Sequence, residues 1–214
     1  MFINKFGDID WNKMIIAFSA VLVFVIFGFA GLDMLLLPYF RMMNLGLWNW
    51  VSFFGKWSVL LVASIAAFVA IKVMIDLDPK LGGILRYTKL RTLFGNMVVS
   101  IVGAIFVTGV LKVIIGRMRP IMFEALAVTE FRPFSLSDTF HSFPSGHGTA
   151  VFAIMMSVGL LYPRFARAAL VFATIIAASR VMTGAHWPSD VVMGAFIGIA
   201  SANLVVWAKK RYFS

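Results

Sequence analysis

Long apolar runs alternate with short polar connections along the whole chain. Apolar segments lie at residues 14–37, 57–75, 93–115, 148–161, 165–182 and 191–208. About 20 helical residues, at about 1.5 Å rise each, cross the hydrocarbon core of a bilayer, so the first three segments are long enough and the fourth is short. The fourth must borrow length from residues 144–147. The pattern predicts an all-α, polytopic membrane protein with six transmembrane helices, forming one transmembrane domain over residues 1–214.

Composition supports this class and excludes others. Of the 214 residues 61% are hydrophobic and 13% are charged, whereas soluble domains carry about 25% charged residues. The 22 phenylalanines argue against disorder, and the absence of cysteine removes disulfide scaffolds, thiolate metal sites and cysteine nucleophiles. The first segment is too long for a signal-peptide core, so we expect it to stay in the mature protein.

Positive charges predict the orientation in the membrane. The chain has 19 Lys and Arg against 9 Asp and Glu, a formal charge of +10. Twelve of these cations fall in the polar segments that lie on the same side of the membrane as the N-terminus. Positively charged connections are retained in the cytoplasm, so both termini are placed there, in a multi-pass protein of the cell (inner) membrane. Nucleic acid is a poor candidate partner because the cations sit between apolar runs rather than along a basic stripe.

Three polar clusters interrupt the apolar pattern, and the first ends the third segment at Lys112-Val-Ile-Ile-Gly-Arg-Met-Arg119-Pro120. Lys112 lies within the apolar run, where an unpaired ammonium costs about 2.5–3.5 kcal/mol on the insertion scale. It therefore needs an interfacial position or an anion. Taken alone, Lys112 and Arg119 are more typical of cations that snorkel at the end of a span.

The second cluster, Ser142-Phe-Pro-Ser145-Gly146-His147-Gly148, directly precedes an apolar helix. A helix N-terminus offers free N–H groups and a partial positive charge, and small residues let an anion approach closely. Ser145 can cap the helix or donate to an anion. A plain N-cap followed by an interfacial histidine is the competing interpretation.

The third cluster, Ser179-Arg180-Val-Met-Thr-Gly-Ala-His186-Trp-Pro-Ser-Asp190, joins the fifth and sixth segments. If Pro188 opens the sixth helix, Asp190 lies in its first turn and can reach back to His186. A carboxylate on one ring nitrogen fixes the tautomer and leaves the other nitrogen free to attack or to accept a proton. An interfacial tryptophan with a helix-dipole aspartate would have the same sequence.

All three clusters fall on the same, outer side of the predicted topology. Together they supply three cations, a helix N-terminus and two histidines, one with a spaced acid. Arginine matches phosphate oxygens bidentately, lysine adds a point charge, and positioning together with charge neutralisation is most of what phosphoryl transfer requires. The clusters therefore predict a phosphoryl site at the outer face.

The motifs K-x6-R-P, P-S-G-H and S-R-x5-H-x3-D resemble the signature of the type 2 phosphatidic acid phosphatase superfamily of membrane lipid phosphatases. The resemblance covers residues 112–190 without a departure at a motif position, and the six-span layout extends it along the chain. It implies His186 as a nucleophile that forms a phospho-histidine, Asp190 as the acid on its second nitrogen, and His147 as general acid and then base. It also implies a phosphate site formed by Lys112, Arg119, Ser145, Gly146 and Arg180.

The expected activity is hydrolysis of a phosphomonoester or pyrophosphate of a lipid. The resemblance allows undecaprenyl pyrophosphate, phosphatidylglycerol phosphate, phosphatidic acid or a lipid A phosphate, and it does not indicate an oligomeric state. We expect no cofactor and no metal, because cations and helix dipoles neutralise the phosphate and no cluster of acids has ligand spacing. A lipid phosphotransferase using the same intermediate, or a protein that binds or transports phospholipid, remains an alternative.

Several outer-side residues fall outside the motifs. For His141 we favour a solvated loop position over a headgroup contact. The other charged residues of the outer loop receive the same interpretation: Arg117, Arg132, Glu124, Glu130 and Asp138. Asp33, near the outer end of the first segment, is costly in a span and suggests a polar partner or an interfacial position. A structural role is its default interpretation.

Overall fold

The computed structural model describes residues 2–4, 7–43 and 46–212, and the regular secondary structure of this part is helical, with two isolated bridges besides, Ile3–Ile9 and Arg117–Phe131. The predicted all-α fold is confirmed. Its α-helices are α1 (Trp11–Phe27), α2 (Asp33–Met42), α3 (Leu47–Phe53), α4 (Trp57–Leu77), α5 (Pro79–Gly82), α6 (Leu85–Ile115), α7 (Pro120–Leu126), α8 (Gly146–Leu161), α9 (Ala166–Met182) and α10 (Pro188–Tyr212). A π-helical segment, Gly28–Leu32, joins α1 to α2, and short 3₁₀ turns lie at Asp138–Phe140 and Pro163–Phe165.

Five helical runs of the described chain are long and apolar enough to cross a membrane: Trp11–Met42, Trp57–Leu77, Leu85–Ile115, Pro163–Met182 and Pro188–Tyr212. They contain the first, second, third, fifth and sixth predicted segments. The third run begins at Leu85, ahead of the predicted residue 93, because α6 continues through the basic stretch that follows α5. Lys5, one of the twelve cations predicted for the cytoplasmic side, lies outside the described residues.

The fourth predicted segment is the short helix α8, whose 16 residues give about 24 Å, less than the hydrocarbon thickness of about 30 Å. It begins at Gly146, so it gains two of the four residues that it was expected to borrow. Most of its side chains are buried, and α6, α9 and α10 pack around it. Ala150 and Ala153 are fully enclosed beside Ile101 of α6. The helix is therefore the centre of the bundle.

Two glycines bring α10 into direct contact with α8. A Cβ at Gly194 would lie 2.6 Å from the Ser145 carbonyl oxygen. A Cβ at Gly198 would overlap the Thr149 carbonyl oxygen and lie 2.8 Å from the Ala153 nitrogen. The two backbones approach this closely because neither position carries a side chain. This contact sets the distance between the residues at the N-termini of the two helices, His147 and Asp190.

The first membrane run is bent in its C-terminal half. Gly31, inside the π-helical segment, has φ of 125°, a conformation that residues with a Cβ rarely adopt. The bend precedes Asp33, which is fully buried in the first turn of α2. A bend at a π-helical segment is a common way to redirect a helix, and here it brings a carboxylate into the bundle.

We predict that Gly198→Ala weakens the bundle, because the added methyl group meets backbone atoms that cannot rotate away. Overpacking of this kind costs about 1–3 kcal/mol, so the thermal unfolding midpoint in detergent, followed by circular dichroism, should fall. Gly109→Ala is the matched control, since a Cβ there meets nothing within 4 Å. Equal midpoints for the two variants would contradict the close contact between α8 and α10.

Candidate active site

The first cluster surrounds the end of α6. Gly116 ends the helix in the left-handed region, with φ of 59°, and its N–H donates to the Lys112 carbonyl at 2.9 Å. A Cβ here would overlap the Arg132 carbonyl group, and the Arg132 N–H donates to the Gly116 carbonyl at 2.7 Å. The turn therefore requires glycine, and it anchors the connection that follows α6 to the end of that helix.

Three predicted phosphate ligands meet around His147. Lys112, Arg119 and Arg180 come from α6, from the turn after it and from α9, and all three interact electrostatically with the His147 imidazole. Lys112 Nζ donates to the His141 carbonyl at 2.5 Å, and Arg119 Nε donates to the Asp138 carbonyl at 2.8 Å. Arg180 Nη1 donates to the Ser52 hydroxyl.

The acceptors of these three cations are uncharged oxygen atoms. Within the described residues, Arg180 Nε is also buried without a hydrogen-bond partner. Burial lowers the pKa of the Arg119 guanidinium below its ordinary value, because the charged form loses hydration there. Three cations held by neutral groups in a partly buried position favour an anion between them.

The second cluster forms the predicted N-terminus of a helix. Ser145 is the N-cap of α8, and its Oγ accepts from the Gly148 N–H at 3.3 Å. Gly146 and His147 occupy the first turn, where N–H groups have no partner inside the helix. The partial positive charge of this helix end lies beside the three cations, so it adds to their attraction for an anion.

The third cluster places His186 between α9 and α10, where it is almost fully buried. Its Nδ1 lies 2.7 Å from the Ser142 carbonyl oxygen. Because a carbonyl only accepts, Nδ1 must carry the proton, and Nε2 is left with its lone pair. Burial lowers the pKa of His186 to about 3, so the ring is neutral near pH 7.

Asp190 lies beside His186, but its contact differs in detail from the prediction. Asp190 Oδ2 is 3.7 Å from His186 Nδ1, whose hydrogen bond goes to the Ser142 carbonyl. The same carboxylate oxygen accepts from Ser142 Oγ at 2.5 Å and from the Trp187 N–H at 2.9 Å. Asp190 is the third residue of α10, and an acid at this position commonly accepts from the N–H of the N-cap residue, which here is Trp187. This capping contact holds the carboxylate away from the His186 ring.

Arg117 is buried, which corrects its interpretation as a solvated loop residue. It is 6% exposed, and its guanidinium bridges two buried carboxylates, Asp190 Oδ1 at 2.7 Å and Asp33 Oδ2 at 2.8 Å. The high cost of Asp33 in a span indicated a polar partner, and that partner is Arg117. Its identity could not be read from the sequence, because Arg117 lies between motif positions in a segment with several other cations.

The remaining residues predicted for the outer side are partly or fully exposed. His141 is only partly exposed, contrary to the solvated position favoured for it, and its Nε2 lies 2.8 Å from the Ser135 carbonyl. Glu124 pairs with Arg41 through two contacts of 2.7 and 2.9 Å, which ties α7 to α2. The exposed Asp138 side chain and the exposed pair Glu130–Arg132 fit the expected solvated loop.

The family model described as the PAP2 superfamily matches residues 93–213, more than half of the chain. The chain belongs to this superfamily, and the resemblance of its three motifs is confirmed. The match begins in α6 and includes α8, α9 and α10, which carry most of the candidate site.

Individual relatives match over shorter lengths. A lipid A 1-phosphatase of Rhizobium johnstonii is 46% identical over 88 residues, covering 41% of this chain and 36% of that protein. An undecaprenyl-diphosphatase of Sulfolobus acidocaldarius is 30% identical over 117 residues, or 54% of each chain. The chain thus spans about a third to a half of the length of these relatives.

Among solved structures, the chain resembles a transmembrane PAP2 type phosphatidylglycerolphosphate phosphatase from Bacillus subtilis. The TM-score is 0.65 at 19% identity, over 94% of this chain and 99% of that one. At this identity the likeness shows the fold alone. The apolar helical runs and this shared fold define a multi-pass membrane protein.

We predict that His186 remains neutral down to about pH 4. In a sample labelled with ¹⁵N-histidine, the chemical shifts of its ring nitrogens should show no gain of a second proton between pH 8 and pH 5. The chain has three histidines, and the signals that disappear in His186→Gln are those of His186. An unfolded histidine titrates near 6.5, so only the unfolded state gains this proton as the pH falls from about 6.5 to 3. His186 therefore makes folding less favourable across that window. A His186 titration midpoint near pH 6.5 would contradict the burial.

Proposed function

We propose that the chain is an integral membrane phosphatase that hydrolyses the phosphomonoester or pyrophosphate of a lipid through a phospho-histidine on His186. The observation that carries the proposal is the charge pattern around the histidines. Lys112, Arg119 and Arg180 are held by uncharged acceptors, whereas Arg117 is neutralised by two carboxylates. An unneutralised group of three cations beside a buried, neutral histidine suits a phosphate and a nucleophile.

In the first chemical step, Nε2 of His186 attacks the phosphorus atom. The new N–P bond forms as the P–O bond to the lipid breaks, and His147, which carries a proton while the phosphate anion lies beside it, gives that proton to the leaving oxygen. The three cations, the Ser145 hydroxyl and the N–H groups of Gly146 and His147 bind the oxygens on which negative charge develops. Asp190 stabilises the positive charge that builds on the His186 ring.

In the second step, water replaces the histidine. His147 takes a proton from the water, whose oxygen attacks the phosphorus while the N–P bond breaks. Inorganic phosphate leaves, and the His186 ring returns to its neutral form. His147 is thereby protonated again for the next lipid.

The substrate is a lipid whose phosphate lies at the level of the membrane headgroups. The relatives support this class, since one is a lipid A 1-phosphatase and another an undecaprenyl-diphosphatase. We propose four candidates: undecaprenyl pyrophosphate, phosphatidylglycerol phosphate, phosphatidic acid and a lipid A phosphate. In the proposed topology six helices cross the cell (inner) membrane, both termini are cytoplasmic, and the site faces the periplasm or cell exterior.

We predict that His186→Ala reduces phosphate release by about three orders of magnitude or more, because no other group can form the N–P bond. The experiment measures phosphate release from each of the four lipids in detergent, using substrate labelled on the phosphorus. His141→Ala is the control histidine and should retain turnover, since its ring nitrogens face the Ser135 carbonyl and the Asp138 carboxylate of the loop rather than the proposed nucleophile. Wild-type rates in His186→Ala would refute the nucleophile, and a labelled lipid product in place of free phosphate would indicate a phosphotransferase.

We also predict that activity is independent of metal ions. The cations and the helix N-terminus supply the charge that a metal would otherwise provide, and no three His, Asp or Glu side chains of the described chain form a group that could hold a metal ion. Phosphate release should be the same with and without EDTA, with a magnesium-dependent phosphatase assayed in parallel to show that the chelator works. Loss of activity in EDTA that magnesium restores would contradict this prediction.

A further inference from the structure

We propose that Arg117 is a positioning residue for the nucleophile. Held by Asp33, it fixes the Asp190 carboxylate and, through Ser142, the imidazole of His186. The inference rests on the proposed role of His186, and it assigns a function to two residues outside the three motifs. One of them, Asp33, also lies outside residues 93–213, which match the family model.

The Arg117 guanidinium occupies the centre of a buried network. Nη1 donates to Asp190 Oδ1 at 2.7 Å and to Ser189 Oγ at 2.8 Å, and Nη2 donates to Asp33 Oδ2 at 2.8 Å. Asp33 in turn accepts from the Ser189 N–H at 3.0 Å and from the Ser189 hydroxyl. The carboxylates of two membrane helices are thereby joined through one planar cation.

Aromatic rings hold the plane of that guanidinium. Its carbon atom lies 4.4 Å from the ring centroid of Phe29 and 5.0 Å from that of Trp187. Trp187 is itself fixed, since its indole N–H donates to the Met118 carbonyl at 2.8 Å. With rings beside it and carboxylates at its edge, Arg117 has one orientation, which determines where Asp190 Oδ1 lies.

Ser142 connects this network to the nucleophile. Its hydroxyl donates to Asp190 Oδ2 at 2.5 Å, and its carbonyl accepts from His186 Nδ1 at 2.7 Å. Ser142 is fully buried, and its N–H donates to the Arg117 carbonyl at 3.0 Å. Arg117 therefore contacts both residues through which the His186 ring is oriented, but it does not itself reach the ring.

The first membrane run is shaped to deliver Asp33 to this position. A Cβ at Gly28 would lie 2.7 Å from Ser189 Cβ and 2.9 Å from Asp33 Oδ2, so a larger residue would push the run away from α10. The bend at Gly31 then turns Asp33 inward. A buried ionic cluster that only filled space could be replaced by apolar side chains, and its connection to Asp190 is the reason to assign it a role in catalysis.

The test compares Arg117→Lys, the double variant Arg117→Met/Asp33→Asn, and Arg132→Met as the matched arginine control. The double variant removes one charge of each sign, and the asparagine oxygen can still accept from the Ser189 N–H. Arg132 lies in the same outer connection, but its side chain pairs with Glu130 on the surface. Arg117→Lys keeps the positive charge but loses the planar guanidinium that donates to both carboxylates. It tests the proposal if the double variant does not fold.

Three measurements are made on each folded variant: kcat and KM for phosphate release, inhibition by inorganic phosphate, and the ¹⁵N-histidine NMR signal of the His186 Nδ1–H group. We expect kcat to fall about 10- to 100-fold in both Arg117 variants, as for a misplaced nucleophile. Inhibition by phosphate should stay near that of the wild type, because Lys112, Arg119 and Arg180 are unchanged. The Nδ1–H signal should broaden or shift, and Arg132→Met should match the wild type throughout.

A folded double variant with wild-type kcat and an unchanged Nδ1–H signal would overturn the proposal, since Arg117 and Asp33 would then only neutralise each other. An equal loss of kcat and phosphate inhibition would also overturn it, by assigning Arg117 to phosphate binding. If the wild type releases no phosphate from any of the four lipids, the proposed function fails. The NMR signal would still show whether Arg117 orients His186.

Discussion

The Asp190 carboxylate accepts hydrogen bonds from three separate parts of the chain, and the geometry of the site depends on it. It receives the Ser142 hydroxyl from the connection before α8, the Trp187 N–H from the start of α10, and Arg117 from the turn after α6. A fully buried carboxylate costs a great deal unless its oxygens are hydrogen-bonded and its charge is paired. Satisfying this one group therefore brings the three motif-bearing segments together.

The four cations near the site fall into two kinds, which differ in the charge of their hydrogen-bond partners. Arg117 is balanced by acids and contributes to the framework, while Lys112, Arg119 and Arg180 are bound by neutral oxygens and keep their charge available. The difference is one of partners, since all four residues lie near the same end of the bundle. In a partly buried site such unbalanced charge attracts a phosphate more strongly than it would in water.

The central helix α8 connects the fold to the proposed chemistry. Its N-cap, Ser145, lies against the first turns of α10, where the Ser145 N–H donates to the Asp190 carbonyl at 3.0 Å and a Cβ at Gly194 would meet the Ser145 carbonyl oxygen. Glycines on α10 allow the two helices to touch, so the backbone segments that carry His147 and Asp190 lie in direct contact. Rigid support of this kind is what a positioned nucleophile and general acid require.

The sequence by itself determined the membrane class, the approximate spans, the family and the motif residues, because apolar run length and motif spacing are local properties of the chain. It also indicated that Asp33 needed a partner, from the cost of a charge in a span. The tertiary structure decided which groups meet: Arg117 with Asp33 across 84 residues, and His186 with the Ser142 carbonyl rather than directly with Asp190. Hydrogen-bond partners that are distant in the chain depend on how the helices bend and pack, and neither periodicity nor spacing records that.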